Sequence, residues 1–571
     1  MQPLLQIKDL SVDFLSGTER VTAIKDITLE VNRGEVLALV GESGSGKSVT
    51  SLAILQLLPV PPARYSKGEI LFSEDGISSI DLLKKKQHSL QDIRGNKIAM
   101  IFQEPMTSLN PVLSCGYQVM EAIRLHKKVS AKSAKQITLD WFSRVKLPQP
   151  EAVFQRYPHQ LSGGQKQRVM IAMAMCCEPS LLICDEPTTA LDVTVQKTIL
   201  ELIRELQQQS QMAVIFITHD LGVVAEIADR AVVMYKGSIV EQNSVKELFL
   251  RPSHPYTRAL LACRPVNHPR GERLPVVSDF LQAEPSEGKE SKPATESLSA
   301  YPFSPIGQTL LSVENLSVWF PAKKSFLGKP VAYTRAVDDV SFEVYKSETL
   351  GLVGESGCGK TTLGRTLLRL VEPTQGKINY NGIDLTAKKR DEIRSLRKDL
   401  QIVFQDPYSS LNPRLTIGAA IAEPLQVHGL ATGSDARRDK VVELLEKVNL
   451  GPEHFHRYPH EFSGGQRQRI VIARALALNP SFIVCDESVS ALDVSVQAQV
   501  LNLLNDLKKE FGFTVIFISH DLSVVRYISD RIMVMNKGRI EESGPADEIY
   551  YNPQMEYTKK LIASIPRGIV A

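Results

Sequence analysis

The sequence contains an internal duplication, and this feature constrains its fold more than any other. The stretch GESGSGKSV at residues 41–49 returns as GESGCGKTT at residues 354–362. Further along, YPHQLSGGQKQR returns as YPHEFSGGQRQR and FITHDLGVV returns as FISHDLSVV, each pair separated by 301 residues. A repeat of this length encodes a complete domain rather than a supersecondary unit, so we predict two domains with the same fold.

The boundaries of the two domains follow from composition. Residues 282–305 (QAEPSEGKESKPATESLSAYPFSP) are polar, rich in Pro, Ser and Glu, and without periodicity, which is typical of a flexible linker. A coil of this length would span roughly 27 Å, enough for two domains to face each other. We predict a first domain at 1–264, a flexible linker at 265–308 and a second domain at 309–571.

Strand-like runs alternate with helical patterns in both halves. VLALV at 36–40 and TLGLV at 349–353 are buried-strand runs that lead directly into the glycine-rich loops. Before the further strand runs AVIFIT and TVIFIS, apolar residues recur at helical spacing: Ile199, Leu202, Ile203, Leu206, Val500, Leu503, Leu504 and Leu507. This alternation predicts an α/β fold with a mainly parallel sheet in each half.

Composition excludes several classes of protein. With 43% hydrophobic and 23% charged residues the chain fits a folded soluble protein, and a net charge of +3 gives no electrostatic case for nucleic acid. No apolar run reaches the ~18–20 residues that cross a bilayer, and no secretory signal is recognisable, so membrane association is expected through a partner. The 7 scattered cysteines lack paired Cys-x-x-Cys spacing, which argues against zinc and iron–sulfur sites and fits reduced cytosolic thiols.

The glycine-rich loops at 41–48 and 354–361 both fit the phosphate-binding pattern GxxxxGK[ST]. The glycines let backbone N–H groups surround phosphate oxygens, the lysine reaches the outer phosphates, and the hydroxyl can ligate Mg²⁺. The alternative is a chance glycine-rich turn, but two matches between a strand and a helix leave little room for it. Cys358, inside the second loop, is interpreted as a small filler.

A second repeated element narrows the family. LSGGQKQR at 161–168 and FSGGQRQR at 462–469, together with CDEPTTALD at 184–192 and CDESVSALD at 485–493, resemble motifs of ABC ATPases. The resemblance covers nearly the whole chain outside the linker. It implies two tandem P-loop NTPase ABC nucleotide-binding domains of α/β class, each with a mainly parallel sheet core plus a helical subdomain. In this family two domains pair head to tail around two ATP molecules.

Physical chemistry agrees with the role that the family gives to SGGQ. The motif opens an amphipathic helix, so its free N–H groups and the positive end of the helix dipole suit an anion supplied by the opposite domain. The alternative is that Gly-Gly only makes a tight start to the helix.

The resemblance implies ATP and Mg²⁺ as cofactors and assigns the site residues. The residues that would activate the attacking water or contact the γ-phosphate are Glu186, Glu487, His219 and His520. The residues that would hold the metal, directly or through water, are Ser48, Gln103, Asp185, Thr361, Gln405 and Asp486. Two further aspartates match the D-loop at the domain seam, Asp192 and Asp493.

The nucleotide contacts that the resemblance implies form two parallel sets. The set in the first half is Phe14, Gly41, Glu42, Ser43, Gly44, Ser45, Gly46, Lys47, Ser48, Val49, Gln103, Ser162, Gly163, Gly164 and Gln165. The set in the second half is Phe320, Gly354, Glu355, Ser356, Gly357, Cys358, Gly359, Lys360, Thr361, Thr362, Gln405, Ser463, Gly464, Gly465 and Gln466. Phe14 and Phe320 stand where the family stacks an aromatic ring on adenine, and Tyr333 competes with Phe320 for that position.

The second acidic stretch differs from the first by Ser488 in place of Pro187. Because the catalytic carboxylate, the aspartates, the lysine and the histidine all persist, we predict that the second site is active. Proline would fix φ near −65°, so its loss predicts a more mobile loop and a different rate at this site.

Four further sequence motifs resemble those of the peptide/nickel branch of bacterial import ATPases. They are QEPMTSLNP at 103–111, YPHQLSGG at 157–164, HPYTRALL at 254–261 and MEYTKKLI at 555–562. This narrower resemblance implies the energy-coupling ATPase of an importer for glutathione or another small peptide. The implied partners are two transmembrane permease subunits and, through them, a periplasmic solute-binding protein. The implied location is peripheral, on the cytoplasmic face of the bacterial inner membrane, with no nucleic-acid partner.

Two alternatives stay open at this stage. A soluble tandem ABC protein acting on ribosomes or DNA usually carries a long charged helical linker, an added basic tail or zinc-binding cysteines. Here the linker is short and rich in Pro, and the cysteines are dispersed. An exporter's ATPase would share the catalytic motifs, but the peptide-type words at the C-terminal end of each half disfavour it.

Overall fold

The computed structural model describes residues 2–17, 19–103, 108–189, 191–282, 307–324, 330–490, 492–566 and 568–569. Residues 104–107 of the QEPMTSLNP motif lie outside the described residues.

In the described part of the first half, the strands form two sheets. They are β1 (Leu5–Ser16), β2 (Glu19–Val31), β3 (Val36–Val40), β4 (Ala63–Phe72), β5 (Ile80–Asp81), β6 (Ile98–Ile101), β7 (Leu181–Asp185), β8 (Ala213–Thr218), β9 (Arg230–Tyr235) and β10 (Ser238–Ser244). An antiparallel sheet has the order β2-β1-β4-β5, and the central sheet has the order β10-β9-β3-β8-β7-β6. In the central sheet every neighbouring pair is parallel except β9 and β10.

Some helices of the first half pack on the central sheet, and others form a separate layer beside it. They are α1 (Lys47–Ile54), α2 (Gln87–Gln91), α3 (Cys115–Lys127), α4 (Ala131–Arg144), α5 (Pro150–Gln155), α6 (Gly163–Met175), α7 (Val193–Ser210), α8 (Leu221–Ile227), α9 (Val245–Leu250), α10 (Pro255–Ala262) and α11 (Val277–Leu281). Helices α3 to α6 share a core that includes Val119, Phe142, Val153 and Val169, and this is the predicted helical subdomain.

The second half repeats this arrangement. Its strands are β11 (Thr309–Lys324), β12 (Pro330–Tyr345), β13 (Thr349–Val353), β14 (Gln375–Tyr380), β15 (Ile383–Asp384), β16 (Leu400–Val403), β17 (Phe482–Asp486), β18 (Thr514–Ser519), β19 (Arg531–Asn536) and β20 (Arg539–Pro545). Its helices are α12 (Lys360–Leu367), α13 (Arg390–Leu396), α14 (Ile417–Val427), α15 (Ser434–Lys447), α16 (Gly464–Leu476), α17 (Val494–Phe511), α18 (Leu522–Ile528), α19 (Ala546–Tyr551) and α20 (Glu556–Ala563).

The sheets of the second half have the orders β12-β11-β14-β15 and β16-β17-β18-β13-β19-β20, which match those of the first half. The predicted α/β class with mainly parallel central sheets is confirmed. The runs VLALV and TLGLV are β3 and β13, and all five residues of each are buried, as expected for strands covered on both faces.

After α10 the first half continues as a segment that contacts the second half; we call residues 264–281 the strap. It contains a 3₁₀ turn, Pro265–Asn267, and helix α11. At one end Arg264 donates to the backbone oxygen of Pro566 at 2.7 Å. Further along, Arg270 lies 3.0 Å from Asp530. The strap therefore reaches from the end of one half across the surface of the other.

The middle of the strap is held by one amide side chain. Asn502, on α17, accepts a hydrogen bond from the backbone N–H of Leu274 at 2.9 Å and donates one to its carbonyl at 2.8 Å. The Tyr527 hydroxyl donates to the carbonyl of Glu272 at 2.6 Å, and Leu274 is 1% exposed. Backbone groups of the strap thus find partners in the second half, as buried backbone must.

The division at residues 264 and 308 stays a prediction. The predicted linker includes strap residues that contact the second half, namely Arg270, Glu272 and Leu274. Residues 283–306 lie outside the described residues.

Candidate active sites

Both phosphate loops connect a buried strand to a helix. Gly46 has φ +102, and a Cβ there would lie 2.9 Å from the carbonyl oxygen of Ala23, so this turn requires glycine. Lys47 is buried, and its ammonium donates to the carbonyls of Gly41 at 2.7 Å and Glu42 at 2.9 Å. The loop is therefore a closed ring of backbone around one cation, the arrangement that a phosphate-binding loop needs.

The second loop has the same construction. Lys360 donates to the carbonyls of Gly354 at 2.7 Å and Glu355 at 3.0 Å. The thiol of Cys358 is buried and lies 3.9 Å from the Lys360 ammonium, and burial raises its pKa. Cys358 is thus a neutral group inside the loop, consistent with its interpretation as a filler.

Each phosphate loop contacts the aspartate at the end of a neighbouring strand through a hydroxyl. The Ser48 hydroxyl donates to Asp185 at 3.0 Å, and the Thr361 hydroxyl donates to Asp486 at 2.9 Å. Burial raises the pKa of Asp185 to about 6 and also raises the pKa of Asp486. These carboxylates are therefore ionised at a cost, which a nearby cation would relieve.

The hydroxyl–carboxylate pairs fit Mg²⁺. The second carboxylate oxygen of Asp486 is buried and has no hydrogen-bond partner among the described residues. Oxygen donors of this kind suit a hard cation that takes its other ligands from water and substrate phosphates. No group of three or more His, Cys, Asp and Glu side chains in the described part of the chain could form a metal cluster on its own.

Glu186, which follows Asp185, lies in a strained backbone conformation at the end of β7, with φ +48. Its carboxylate accepts hydrogen bonds from the side chains of Gln103 at 3.0 Å and Thr189 at 3.1 Å, and it lies 3.6 Å from His219. Burial opposes ionisation, but the interactions with His219 and Lys47 outweigh it and lower the pKa of Glu186 to about 2. The carboxylate is thus an ionised hydrogen-bond acceptor at neutral pH.

Glu487 has the corresponding surroundings in the second half, with φ +47. Gln405 donates to its carboxylate at 2.7 Å, and His520 lies 3.8 Å away. Burial again opposes ionisation, and His520 and Lys360 again lower the pKa of Glu487. The Ser490 hydroxyl, however, donates to the backbone carbonyl of Glu487 at 2.9 Å rather than to its carboxylate.

The SGGQ motifs begin helices α6 and α16, as predicted. Ser162 caps α6, and Gln165 reaches back to accept from the backbone N–H of Ser162 at 3.2 Å. Ser463 and Gln466 form the same capping box in the second half, with the corresponding bond at 3.1 Å. Both serines are exposed at the helix start, whereas the two glutamine side chains, expected to contact nucleotide, are used to cap their own helices.

The glycines after these serines permit close packing. A Cβ at Gly164 would lie 2.7 Å from Val195 on α7, and a Cβ at Gly465 would overlap Val496 on α17. The helix that begins with SGGQ in each half, which we call the signature helix, therefore packs closely against the start of the helix that follows the acidic stretch.

The two halves contact each other through their nucleotide motifs. The backbone N–H of Ser43 donates to Asp493 of the opposite half at 3.0 Å, and Ser495 donates to Glu42. In the reverse direction, the Thr194 hydroxyl donates to Glu355 at 2.7 Å. Each phosphate loop thus touches the D-loop region of the other half.

The adenine-stacking aromatics are the least defined part of the site. Phe14 lies on β1 and is half-buried against the core of the first half. Phe320 on β11 and Tyr333 on β12 are both exposed, and Phe320 pairs with Thr334, next to Tyr333. The prediction for these rings, and the choice between Phe320 and Tyr333, stay open.

A comparison with protein-family models places these motifs in a family. The model described as "ABC transporter" matches residues 24–189 and 337–490, which together are more than half of the chain. The chain belongs to the ABC transporter family. A second model, described as "Oligopeptide/dipeptide transporter, C-terminal region", matches residues 240–289 and 542–568. This protein is accordingly an ABC protein that binds ATP and hydrolyses it.

Named relatives of this ABC protein extend over nearly its whole length. The glutathione import ATP-binding protein GsiA of Pectobacterium atrosepticum is 49% identical over 564 residues, covering 99% of this chain and 89% of the relative. The protein of the same name from Escherichia coli is 48% identical over 570 residues, with the same coverage. A solved dimer of an ATP-binding cassette bound to ADP and Pi is 29% identical, covers 41% of this chain and 98% of that chain, and has a TM-score of 0.38.

In the described part of this ABC protein, the helices are all too short or too polar to cross a membrane.

Sequence reasoning missed one residue pair that contacts the phosphate loops of this ABC protein. The hydroxyl of Tyr256 accepts from the backbone N–H of Glu42 at 3.0 Å, and that of Tyr557 accepts from Glu355 at 3.1 Å. A signal was available, because Tyr is retained in HPYTRALL and MEYTKKLI although the two residues before it change.

Proposed function

We propose that this protein is the ATP-hydrolysing subunit of an importer for small peptides and that it supplies both nucleotide-binding domains. The observation that carries the proposal is the C-terminal region of each half, where the oligopeptide/dipeptide transporter model matches twice. Relatives named for glutathione import, at 48–49% identity, support a small peptide such as glutathione as the solute. The protein acts with two membrane permease subunits and, through them, a periplasmic solute-binding protein.

The chemistry is phosphoryl transfer from ATP to water, in which positioning and charge stabilisation dominate. Glu186 and Glu487 orient the attacking water and take up its proton, because each is an ionised carboxylate held by a glutamine amide. His219 and His520, 3.6 Å and 3.8 Å from these carboxylates, contact the γ-phosphate. Lys47 and Lys360 bind the outer phosphates.

Ser48 and Asp185 in one site, and Thr361 and Asp486 in the other, would hold Mg²⁺. The cation would supply charge neutralisation at the phosphate oxygens. Gln103 and Gln405 take part in the metal surroundings, and because each already donates to the catalytic carboxylate, a shift of either loop moves that carboxylate. These glutamines are therefore the proposed connection between the nucleotide site and the permease.

The halves work as a head-to-tail pair, each ATP lying between the phosphate loop of one half and the Ser-Gly-Gly of the other. The contacts of Asp493 with Ser43 and of Thr194 with Glu355 support this arrangement, since each D-loop region lies beside its own signature helix. Ser162 and Ser463 then serve the sites built on Lys360 and Lys47 respectively. ATP binding closes the pair, hydrolysis opens it, and the permease follows at the cytoplasmic face of the inner membrane.

Uptake of labelled solute tests the proposal. Cells lacking this chain are supplied with radiolabelled glutathione, a dipeptide and a pentapeptide, with and without the chain restored. We expect uptake of at least one small peptide to depend on the chain and to be lost with a Glu186→Gln/Glu487→Gln double variant. Uptake of every peptide independent of the chain would overturn the import role.

A second arm separates the energy-coupling role from solute choice. Replacing the binding protein by one of another specificity should change the transported solute while this chain stays the same. A solute preference that follows this chain instead would contradict the coupling role.

A further inference from the structure

Two tyrosines outside the nucleotide motifs contact the phosphate loops. Tyr256, in the first turn of α10, is 0% exposed, and its hydroxyl accepts a hydrogen bond from the backbone N–H of Glu42 at 3.0 Å. Tyr557, in the first turn of α20, accepts from the N–H of Glu355 at 3.1 Å. The same contact therefore occurs twice in the chain, once in each half.

The peptide group that each tyrosine holds is also held from its other end. The N–H of Glu42 and the carbonyl of Gly41 belong to one peptide group, and that carbonyl accepts from the Lys47 ammonium at 2.7 Å. In the second half the Gly354 carbonyl accepts from Lys360, also at 2.7 Å. Because a peptide group is planar, fixing its N–H also fixes the direction of its carbonyl. Tyrosine hydroxyl and lysine ammonium thus lie at opposite ends of one rigid plane.

The Tyr256 hydroxyl is itself fixed by the fold. The Glu241 carboxylate, on β10, accepts from the backbone N–H groups of Ser253 at 2.9 Å and His254 at 3.1 Å, which anchors the start of α10. The Tyr256 ring packs against Tyr235, with 4.4 Å between ring centroids. Burial raises the pKa of Tyr256, so the hydroxyl stays neutral at working pH and adds no negative charge beside the phosphates.

The second half anchors its helix in the same way. The Glu542 carboxylate, on β20, accepts from the N–H groups of Gln554 at 2.8 Å and Met555 at 3.3 Å. Burial also raises the pKa of Tyr557. The anchoring carboxylate and the tyrosine are kept although most of the residues between them differ.

We propose that Tyr256 and Tyr557 are positioning residues of the two ATP sites, each orienting the peptide group that directs the phosphate-binding lysine. The hydroxyl keeps the carbonyl of the first loop residue pointed at the lysine, so the ammonium is preorganised before nucleotide binds. The C-terminal region that distinguishes the peptide branch thereby forms part of each nucleotide site. The proposal requires only the ATPase activity and does not depend on the identity of the solute.

The test removes one hydroxyl at a time and keeps the rings. Tyr256→Phe and Tyr557→Phe should each raise the KM for ATP, or the Kd for a fluorescent ATP analogue at the affected site, by ~2–10-fold, as expected for one hydrogen bond. The kcat should stay close to that of the unaltered protein, because the lysine contact is made in both ground and transition states. The double variant should combine the two effects.

Tyr235→Phe is the matched control. It removes a hydroxyl from the ring that packs on Tyr256, and the second half has Asn536 at this position. This variant should leave the KM for ATP unchanged. An equal rise in KM in the control would mean that loss of a hydroxyl in this cluster acts through packing alone, and it would overturn the proposal.

Amide hydrogen exchange gives a readout that a general packing role would not move. In full-length Tyr256→Phe, the Glu42 amide should exchange ~2–10-fold faster while the Glu355 amide is unchanged; Tyr557→Phe should do the reverse. The two loops of one molecule therefore serve as controls for each other. Unchanged exchange at the targeted amide, or equal acceleration at both loops, would contradict the proposal.

Discussion

The two ATP sites contain the same catalytic groups but hold the loop after the acidic pair differently. In the first site the Thr189 hydroxyl donates to the Glu186 carboxylate at 3.1 Å. In the second site Ser490, the equivalent residue, donates to the backbone carbonyl of Glu487 at 2.9 Å. Among the described residues, the first catalytic carboxylate thus has a hydroxyl donor that the second lacks, although both sites contain the same catalytic groups.

The D-loop aspartates of the two halves also differ in their hydrogen bonds. Asp192 accepts from the backbone N–H of Val195 at 2.9 Å and so caps its own helix. Asp493 makes no such cap and instead accepts from Ser43 of the opposite half at 3.0 Å. Equivalent residues therefore serve local structure in one half and the contact between halves in the other. Duplicated motifs do not guarantee equal sites.

The largest effects are expected from the catalytic carboxylates. Glu186→Gln and Glu487→Gln should each lower turnover at the altered site by ~10²–10⁴-fold, because each removes a general base. Single-turnover hydrolysis, with product traced to each half, measures the two sites separately. The double variant is the control for background hydrolysis. If Glu487→Gln hydrolyses ATP at the full steady-state rate, the second site is idle and the comparison is between an active and an inactive site.

The next effect tests which half completes which site. Ser463→Arg should weaken hydrolysis at the site built on Lys47 by roughly 10²-fold, because it removes a positioned donor and inserts a bulky cation. Ser162→Arg is the matched variant and should impair the Lys360 site. Photo-crosslinking of an azido-ATP followed by peptide mapping reports each site. A Ser463→Arg defect confined to the Lys360 site would refute the head-to-tail arrangement.

The buried aspartates predict a pH-dependent change in stability. Burial raises the pKa of Asp185 from 3.8 to about 6, so the nucleotide-free fold loses stability as pH rises through that range. Asp185→Asn should therefore stabilise the nucleotide-free protein by up to about 3 kcal/mol near neutral pH and by little below about pH 4. Denaturant unfolding across this pH range measures it.

Asp486→Asn provides the comparison, because burial raises the pKa of Asp486 as well. It should shift stability in the same direction. Both variants should lose ATPase activity, since each removes a carboxylate proposed to hold Mg²⁺. Equal stability of Asp185→Asn and the unaltered protein at all pH values would contradict the pKa shift.

The smallest expected effects on hydrolysis distinguish the loops that follow the acidic pair in the two sites. Thr189→Val should lower the hydrolysis rate of the first site by ~2–10-fold, because one hydrogen bond to the catalytic carboxylate is lost. Ser490→Ala, which removes a bond to a backbone carbonyl, should change the second site less. Site-resolved single-turnover rates give both values. Equal losses in the two variants would mean that the difference between these contacts has no functional weight.

Much of this arrangement was predictable from sequence because its signals are local. The strand–loop–helix order around Gly46 and Lys47 and the helix that starts after Ser162 both follow from periodicity and short motifs. Each was confirmed within a residue or two. The backbone conformation at these points is determined by residues close along the chain.

The features that sequence reasoning missed are contacts between distant segments. Tyr256 meets Glu42 more than 200 residues away, and the Tyr retained in both halves indicates that the residue has a role but does not identify its partner. Likewise, composition gives no sign that Leu274 would dock on Asn502. Gln165 was expected to contact nucleotide, yet the capping box that uses it was visible as a Ser-x-x-Gln pattern.

The strap also makes the pairing of the halves directional. Asn502 both accepts from and donates to the backbone of Leu274, and the equivalent residue of the first half is Glu201. A glutamate side chain has no N–H to donate, so the first half cannot receive a strap in this way. Tyr527 is likewise replaced by Glu226. The two halves have therefore ceased to be interchangeable copies, because one carries the strap and the other carries its receptor. A pair of identical first halves would have straps without the side chains that receive them.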